Sequence, residues 1–167
     1  MGLPKISNAA SRIYILGGPA SGKTHLASQL SKKLNIRHHD LDDLAFETKY
    51  SKKRDYLERE KLLEKICANK SWIIEGSYAR EWVHTAFSKS DVIIFLDFPI
   101  STIIARLIAR EFGRRRSGLK DFLLLLKYAF TYKQYLKEDG IFEQYQNKVN
   151  RISSKAEIDH LLASINI

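Results

Sequence analysis

Apolar residues along this chain fall into a few short, unbroken runs separated by longer stretches in which they recur at helical spacing. Arg12-Ile13-Tyr14-Ile15-Leu16, Trp72-Ile73-Ile74-Glu75 and Asp91-Val92-Ile93-Ile94-Phe95-Leu96-Asp97 are too short for helices and lack period-two alternation. They predict strands buried on both faces. Ile36-Arg37-His38-His39-Asp40 and Lys148-Val149-Asn150-Arg151-Ile152 predict two more. Between them the helical period predicts helices from Thr24 to a break at Asn35, from about Tyr50 to Asn69, from Glu81 to Phe87 and from Ser101 to about Phe112. Two more are predicted from Leu119 to Glu138 and from Ala156 to Ile165. Alternating strands and helices predict an α/β fold with a mainly parallel sheet. No repeat, low-complexity tract or linker divides the 167 residues, a length that suits one domain.

The first strand runs into Gly17-Gly18-Pro19-Ala20-Ser21-Gly22-Lys23-Thr24, and a helix leaves it. Gly17, Gly22, Lys23 and Thr24 satisfy the phosphate-loop pattern G-x-x-x-x-G-K-[ST] in the strand-loop-helix setting that gives it meaning. In such a loop the glycines let the backbone curl so that successive N–H groups point at a phosphate chain, and the helix N-terminus adds its positive end. Lys23 is expected to reach the β- and γ-phosphates and the Thr24 hydroxyl to hold Mg²⁺. A nucleoside triphosphate is therefore the expected ligand, with ATP and GTP not distinguished by any base-reading signature.

Composition narrows the setting. At 44% hydrophobic and 28% charged residues the chain is ordinary for a soluble globular protein. No run approaches the ~20 apolar residues of a membrane span. A single cysteine, Cys67, excludes an internal disulfide, and its apolar helical neighbours Leu62, Leu63 and Ile66 predict an inert buried thiol. Residues 1–8 read as a short lead-in without a signal-peptide core, so the expected location is cytoplasmic. The net charge of +9 is concentrated. Arg106, Arg110, Arg114, Arg115, Arg116, Lys120, Lys127, Lys133 and Lys137 face only Glu111 and Asp121 in one segment, which suits a polyanion such as nucleotide phosphates, nucleic acid or an anionic lipid surface.

Acidic residues stand at the carboxyl ends of three predicted strands, where open α/β sheets bind ligands: Asp40-Leu41-Asp42-Asp43, Glu75 and Asp97. A phosphoryl-transfer site needs an acid to position Mg²⁺ and a group to orient the attacking hydroxyl. At least two of these are expected to serve the site, with Asp97 equally suited to capping the next helix. Arg106 and Arg110, four apart, share one helix face and suit phosphate oxygens or a base. Arg80, just past Gly76, is placed to clamp a second anionic substrate.

With these pieces the chain resembles the P-loop kinases related to adenylate kinase, and more narrowly the bacterial adenylate-kinase-related or DNA topology modulation proteins. The resemblance rests on Gly17 to Thr24, Leu41-Asp42-Asp43-Leu44, Trp72-Ile73-Ile74-Glu75-Gly76-Ser77-Tyr78-Ala79-Arg80 and Asp91 to Pro99. It implies a P-loop NTPase fold of nucleoside-monophosphate-kinase type, a five-stranded parallel sheet in order 2-3-1-4-5 sandwiched by helices. It also implies a single domain over 1–167 with a lid-like helical insertion at about 111–140. By the same resemblance Lys23, Asp42 and Arg110 are catalytic, and Gly17, Pro19, Ala20, Ser21, Gly22, Lys23, Thr24, Arg106 and Arg110 hold ATP. Thr24 and Glu75 serve Mg²⁺, while Asp40, Asp42 and Arg80 bind the acceptor. The expected activity is ATP-dependent phosphoryl transfer to a small-molecule acceptor by a monomer or homodimer. The rival expectation is a nucleotide-switched nucleic-acid-binding protein, supported by the aromatic residues Tyr128, Phe130, Tyr132 and Tyr135 among the basic ones.

Overall fold

The computed structural model describes residues 12–48, 52–113, 119–138 and 140–165. Five strands, β1 (Arg12–Gly17), β2 (His38–Asp40), β3 (Trp72–Gly76), β4 (Val92–Leu96) and β5 (Val149–Ile152), form one all-parallel sheet in the order β2-β3-β1-β4-β5. The helices are α1 (Lys23–Leu34), α2 (Leu41–Ala45), α3 (Tyr56–Cys67), α4 (His84–Lys89), α5 (Ile100–Gly113), α6 (Leu119–Tyr135), α7 (Ile141–Gln144) and α8 (Lys155–Ser164). Single 3-10 turns occupy Glu81–Val83 and Gln146–Lys148.

Strand alternation divides the core in two. Ile13 and Ile15 of β1 pack with Leu26 and Leu30 of α1, Ile103 and Leu107 of α5 and Leu161 of α8. Tyr14 and Leu16 face the other way, onto Leu41, Leu63, Trp82 and Phe87. Both faces of β1 are therefore covered, which is why its sequence is continuously apolar. At the amino ends of the strands Arg12 Nη2 meets Asp91 Oδ1 at 2.7 Å, and the Arg12 backbone N–H donates to Asp91 Oδ2 at 2.8 Å, tying β1 to β4. The second face takes Cys67 as well, and burial pushes its thiol up to about 11.

α6 serves both cores. Tyr132 and Leu136 join the Tyr14 side, while Phe122, Leu125, Leu126 and Ala129 pack against the Ile13 side. At the carboxyl end of β1 a β-carbon on Gly18 would lie 3.1 Å from Tyr132 Cδ1, so the helix rests on the phosphate loop.

Boundaries shift where local capping outweighs periodicity. The helix predicted from about Tyr50 starts at Tyr56, because the Asp55 carboxylate accepts the Leu57 N–H at 2.9 Å and a Phe46–Lys53 bridge occupies the chain before it. α2 and α7, with five and four residues, are too short for a period to show. The lead-in over residues 1–8 and Arg114, Arg115 and Arg116 lie outside the described residues.

Candidate nucleotide and acceptor site

α1 lies on the Ile13 face, whereas α4, following β3, lies on the Tyr14 face. The helices thus depart to opposite sides at the β1–β3 boundary, and the crevice of an open sheet forms at such a point. The predicted loop wraps the end of β1 there. Gly17 is required by close approach, since a β-carbon would sit 2.6 Å from Ser21 Oγ. Gly22 has φ 97° and Ala20 φ 54°, the left-handed turns that curl the backbone into a cradle. Ser21 Oγ donates to the Gly18 carbonyl at 2.9 Å, and Ser77 Oγ donates to the Gly17 carbonyl at 2.9 Å, bracing the loop from within and from β3. Gly22 caps α1 without a side-chain hydrogen bond, so the first N–H groups of the helix stay available to an anion.

Lys23 Nζ donates to the Gly18 carbonyl at 3.0 Å, back across the loop. Burial lowers the pKa of its ammonium, while Glu75, Asp42 and Asp40 favour the charged form and Arg110 opposes it. Those four side chains therefore all bear electrostatically on the lysine that sequence reasoning placed on the phosphates. Thr24 Oγ1 donates to Glu75 Oε1 at 2.6 Å, and Glu75, at 1% exposure, is one of very few buried charged residues. Burial raises the Glu75 pKa, the Thr24 hydroxyl and Lys23 pull it down, and Asp40 and Asp42 push it up. His38 Nε2 lies 3.9 Å from Glu75 Oε1; in the β2–β3 register His38 pairs with Ile73, and Asp40, two residues on, pairs with Glu75.

The acceptor-side acids differ in role. The Asp40 carboxylate accepts the Asp42 N–H at 2.9 Å and so caps α2, which turns Asp42 towards the crevice. Asp42 Oδ1 accepts from the Tyr78 hydroxyl at 2.8 Å. Tyr78 is itself held, because buried Tyr14 of β1 donates its hydroxyl to the Tyr78 carbonyl at 2.7 Å. Burial, with Asp42 beside it, raises the Tyr78 pKa far above the ordinary phenol range, so it stays a donor. Arg80 pairs with Glu138 and lies over the Tyr135 ring, 4.1 Å from its centroid.

The two arginines of α5 part company. Arg106 Nη1 donates to the Ser21 carbonyl at 2.9 Å and the guanidinium lies 4.1 Å from the Phe98 ring centroid, so it braces the loop. Arg110 is exposed and, among the described residues, makes no hydrogen bond or ion pair. Asp97 pairs with Lys133 at 2.8 Å and Arg151 at 3.3 Å, on the β5 side of the loop. On that side a cavity of about 510 Å³ opens beside Gly18 and Pro19, lined by Phe98, Phe130 and Tyr132. Sequence reasoning missed Ser77, Tyr78, Tyr14 and Tyr132 as parts of the site. Tyr14 is hidden in an apolar run, Ser77 and Tyr78 stand in the segment that carries the family resemblance, and Tyr132 was marked only among the aromatics of the basic helix.

A divalent cation fits the donor set. The Thr24 hydrogen goes to Glu75, which leaves the hydroxyl oxygen's lone pairs and a buried carboxylate, hard oxygen donors of the kind Mg²⁺ takes beside phosphate.

Comparison with known proteins gives three findings. The family description "Shikimate kinase" matches residues 19–161. A Bacillus subtilis (strain 168) protein, "Uncharacterized protein YqaC", is 39% identical over 154 residues, covering 92% of this chain and 83% of that one. Among solved structures, a gluconokinase from Sinorhizobium meliloti 1021 superposes with a TM-score of 0.62 at 12% identity, over 93% of this chain and 91% of that one. A shikimate kinase from Acinetobacter baumannii in complex with shikimate gives 0.59 at 14%, over 93% and 91%. A shikimate kinase from Aquifex aeolicus gives 0.55 at 17%, over 92% of each chain. At such identities these structures speak for the fold alone.

Proposed function

The chain belongs to the shikimate kinase family, and on that footing we propose how its residues divide the work of a P-loop kinase that transfers a phosphoryl group from ATP to a small-molecule acceptor. The phosphates of ATP lie in the cradle of Gly17, Pro19, Ala20, Ser21, Gly22, Lys23 and Thr24, against the open N–H groups of α1. Lys23 leaves the Gly18 carbonyl for the β- and γ-phosphate oxygens and neutralises charge that develops there. Arg106 holds the loop in shape and Arg110, free at the rim, closes on the phosphates. Thr24 and Glu75 would hold Mg²⁺, which when bound offsets phosphate charge and orients the chain of phosphates.

Asp42 orients the acceptor hydroxyl, with its Oδ1 fixed by Tyr78, and Asp40 sets the start of α2 that carries it. Arg80 meets an anionic group of the acceptor by exchanging Glu138 for it. The acceptor class this favours is a small hydroxylated molecule bearing an acidic group. The helical insertion at about 111–140 acts as the lid of a single domain spanning 1–167 in the cytoplasm, and its exclusion of water protects the transfer. The adenylate-kinase-related group remains the narrower affiliation that the Trp72–Arg80 segment supports.

The observation that carries this reading is that Lys23, held on the Gly18 carbonyl, and Thr24, bonded to buried Glu75, meet at the crevice where the helices part. ADP release with Mg²⁺ is to be measured across nucleoside monophosphates, nucleosides and small hydroxylated acids, with Lys23→Ala as control. Acceptor-dependent turnover that falls at least about a hundredfold in the variant supports the assignment. Turnover that ignores every acceptor, or survives loss of Lys23, overturns it.

A further inference from the structure

Among the described residues, nothing packs over the outward face of α6. Leu123, Leu124 and Phe130 are 55%, 57% and 63% exposed, far beyond what a core helix leaves open. At 100° per residue Leu123, Lys127, Phe130 and Gln134 form one stripe, with Leu124 and Thr131 on its flank and Lys137 in the turn that follows the helix. Leu123 to Phe130 span about 10 Å of helix axis. The opposite face carries Tyr132 and Leu136, both buried. Lys127 and Lys137 make no side-chain hydrogen bond or ion pair among the described residues. Lys133, paired with Asp97, still keeps a side chain 70% exposed.

Large apolar side chains interleaved with free amines suit only a partner that is apolar inside and anionic outside. We propose that this face of α6 docks the protein onto an anionic lipid surface, with Leu123, Leu124 and Phe130 entering the acyl boundary and Lys127 and Lys137 at the headgroups. The helix lies in the plane of the interface and does not cross it; no described helix is long and apolar enough to span a membrane. A second copy of the chain fits less well, because this face carries no acidic residue for Lys127 and Lys137 to meet across an isologous contact. A nucleic-acid strand would use the amines and Phe130 but gain nothing from two exposed leucines.

The full chain is to be floated with vesicles of phosphatidylcholine, with and without phosphatidylglycerol. Binding is expected only to the phosphatidylglycerol vesicles and should weaken with added salt. Lys127→Glu with Lys137→Glu should weaken it at least about tenfold, and Leu123→Gln with Phe130→Gln should abolish it. Both pairs alter exposed side chains, so unchanged thermal unfolding identifies loss of docking rather than of fold. Absence of flotation, or flotation indifferent to both pairs, overturns the proposal. So does a dimer by light scattering that Leu123→Gln with Phe130→Gln dissolves. Competition by an oligonucleotide whose own binding needs the lysines but not Leu123 and Phe130 would reassign the face to nucleic acid.

Discussion

The Thr24 hydroxyl donates to Glu75 Oε1 across 2.6 Å, linking the first turn of α1 to the end of β3 at the bottom of the nucleotide crevice. This contact puts a carboxylate that burial makes reluctant to ionise at the one place where a cation on the phosphates would compensate it. Stability and function therefore pull on Glu75 in opposite directions.

Glu75→Gln should make the protein more stable and less active. The folded pKa of Glu75 lies above its unfolded value, so the unfolded chain gives up that proton first as pH rises. Its destabilising contribution is absent below the ordinary carboxylate range and complete once pH exceeds the raised folded value. Thermal unfolding without nucleotide should show Tm a few degrees higher in the variant near neutral pH, with the gain vanishing in acid. Magnesium-dependent turnover should fall about a hundredfold or more. A lower Tm at neutral pH would contradict the argument.

Arg106 and Arg110 should separate cleanly despite sharing a helix face. Arg106→Ala removes a charge-assisted hydrogen bond to the loop and a ring contact, a loss of about 2 kcal/mol. Tm should drop several degrees and KM for ATP should rise about tenfold. Arg110→Ala removes no contact within the described residues, so Tm should stay put while kcat falls about a hundredfold. Calorimetry and steady-state kinetics on the two variants decide it.

Asp42→Asn should reduce acceptor-dependent kcat about a hundredfold with KM for ATP unchanged. Tyr78→Phe, which removes only the hydroxyl on Asp42, should cost about tenfold in kcat. Placed on top of Asp42→Asn it should add little, because both act through one carboxylate. Additive losses would show that Tyr78 works through something else.

Lys148 offers a purely structural test. Its Nζ donates to the carbonyls of Ser88 at 2.7 Å and Ser90 at 3.1 Å, and lies 3.4 Å from that of Phe87, closing the end of α4. Lys148→Met should cost about 2 kcal/mol, a Tm loss of several degrees in an unfolding scan, while kcat stays at the wild-type value.

Much of the site was legible before any coordinates, because its chemistry is local. The loop pattern places the strand, the turn and the helix within a few residues of one another, and Lys23 and Thr24 need nothing distant to be recognised. Arg80 was legible as a cation but not as a partner, since Glu138 and Tyr135 lie more than fifty residues away. The tyrosines were hidden for a related reason. A Tyr in an apolar run reads as core, as Tyr14 does, and only packing turns its hydroxyl towards a carbonyl, or that of Tyr78 towards a carboxylate.

By itself the sequence determined the alternation of elements, the phosphate loop and the buried character of β1, β3 and β4, properties encoded in nearest-neighbour patterns and in period. Tertiary structure alone decided which acids face Lys23 and which arginine is left free. It also decided that Asp97 turns to Lys133 and Arg151 and that α6 rests on Gly18 while exposing Leu123 and Phe130. Those outcomes depend on side chains meeting across dozens of residues, where chain order carries no distance and packing chooses among many compatible partners.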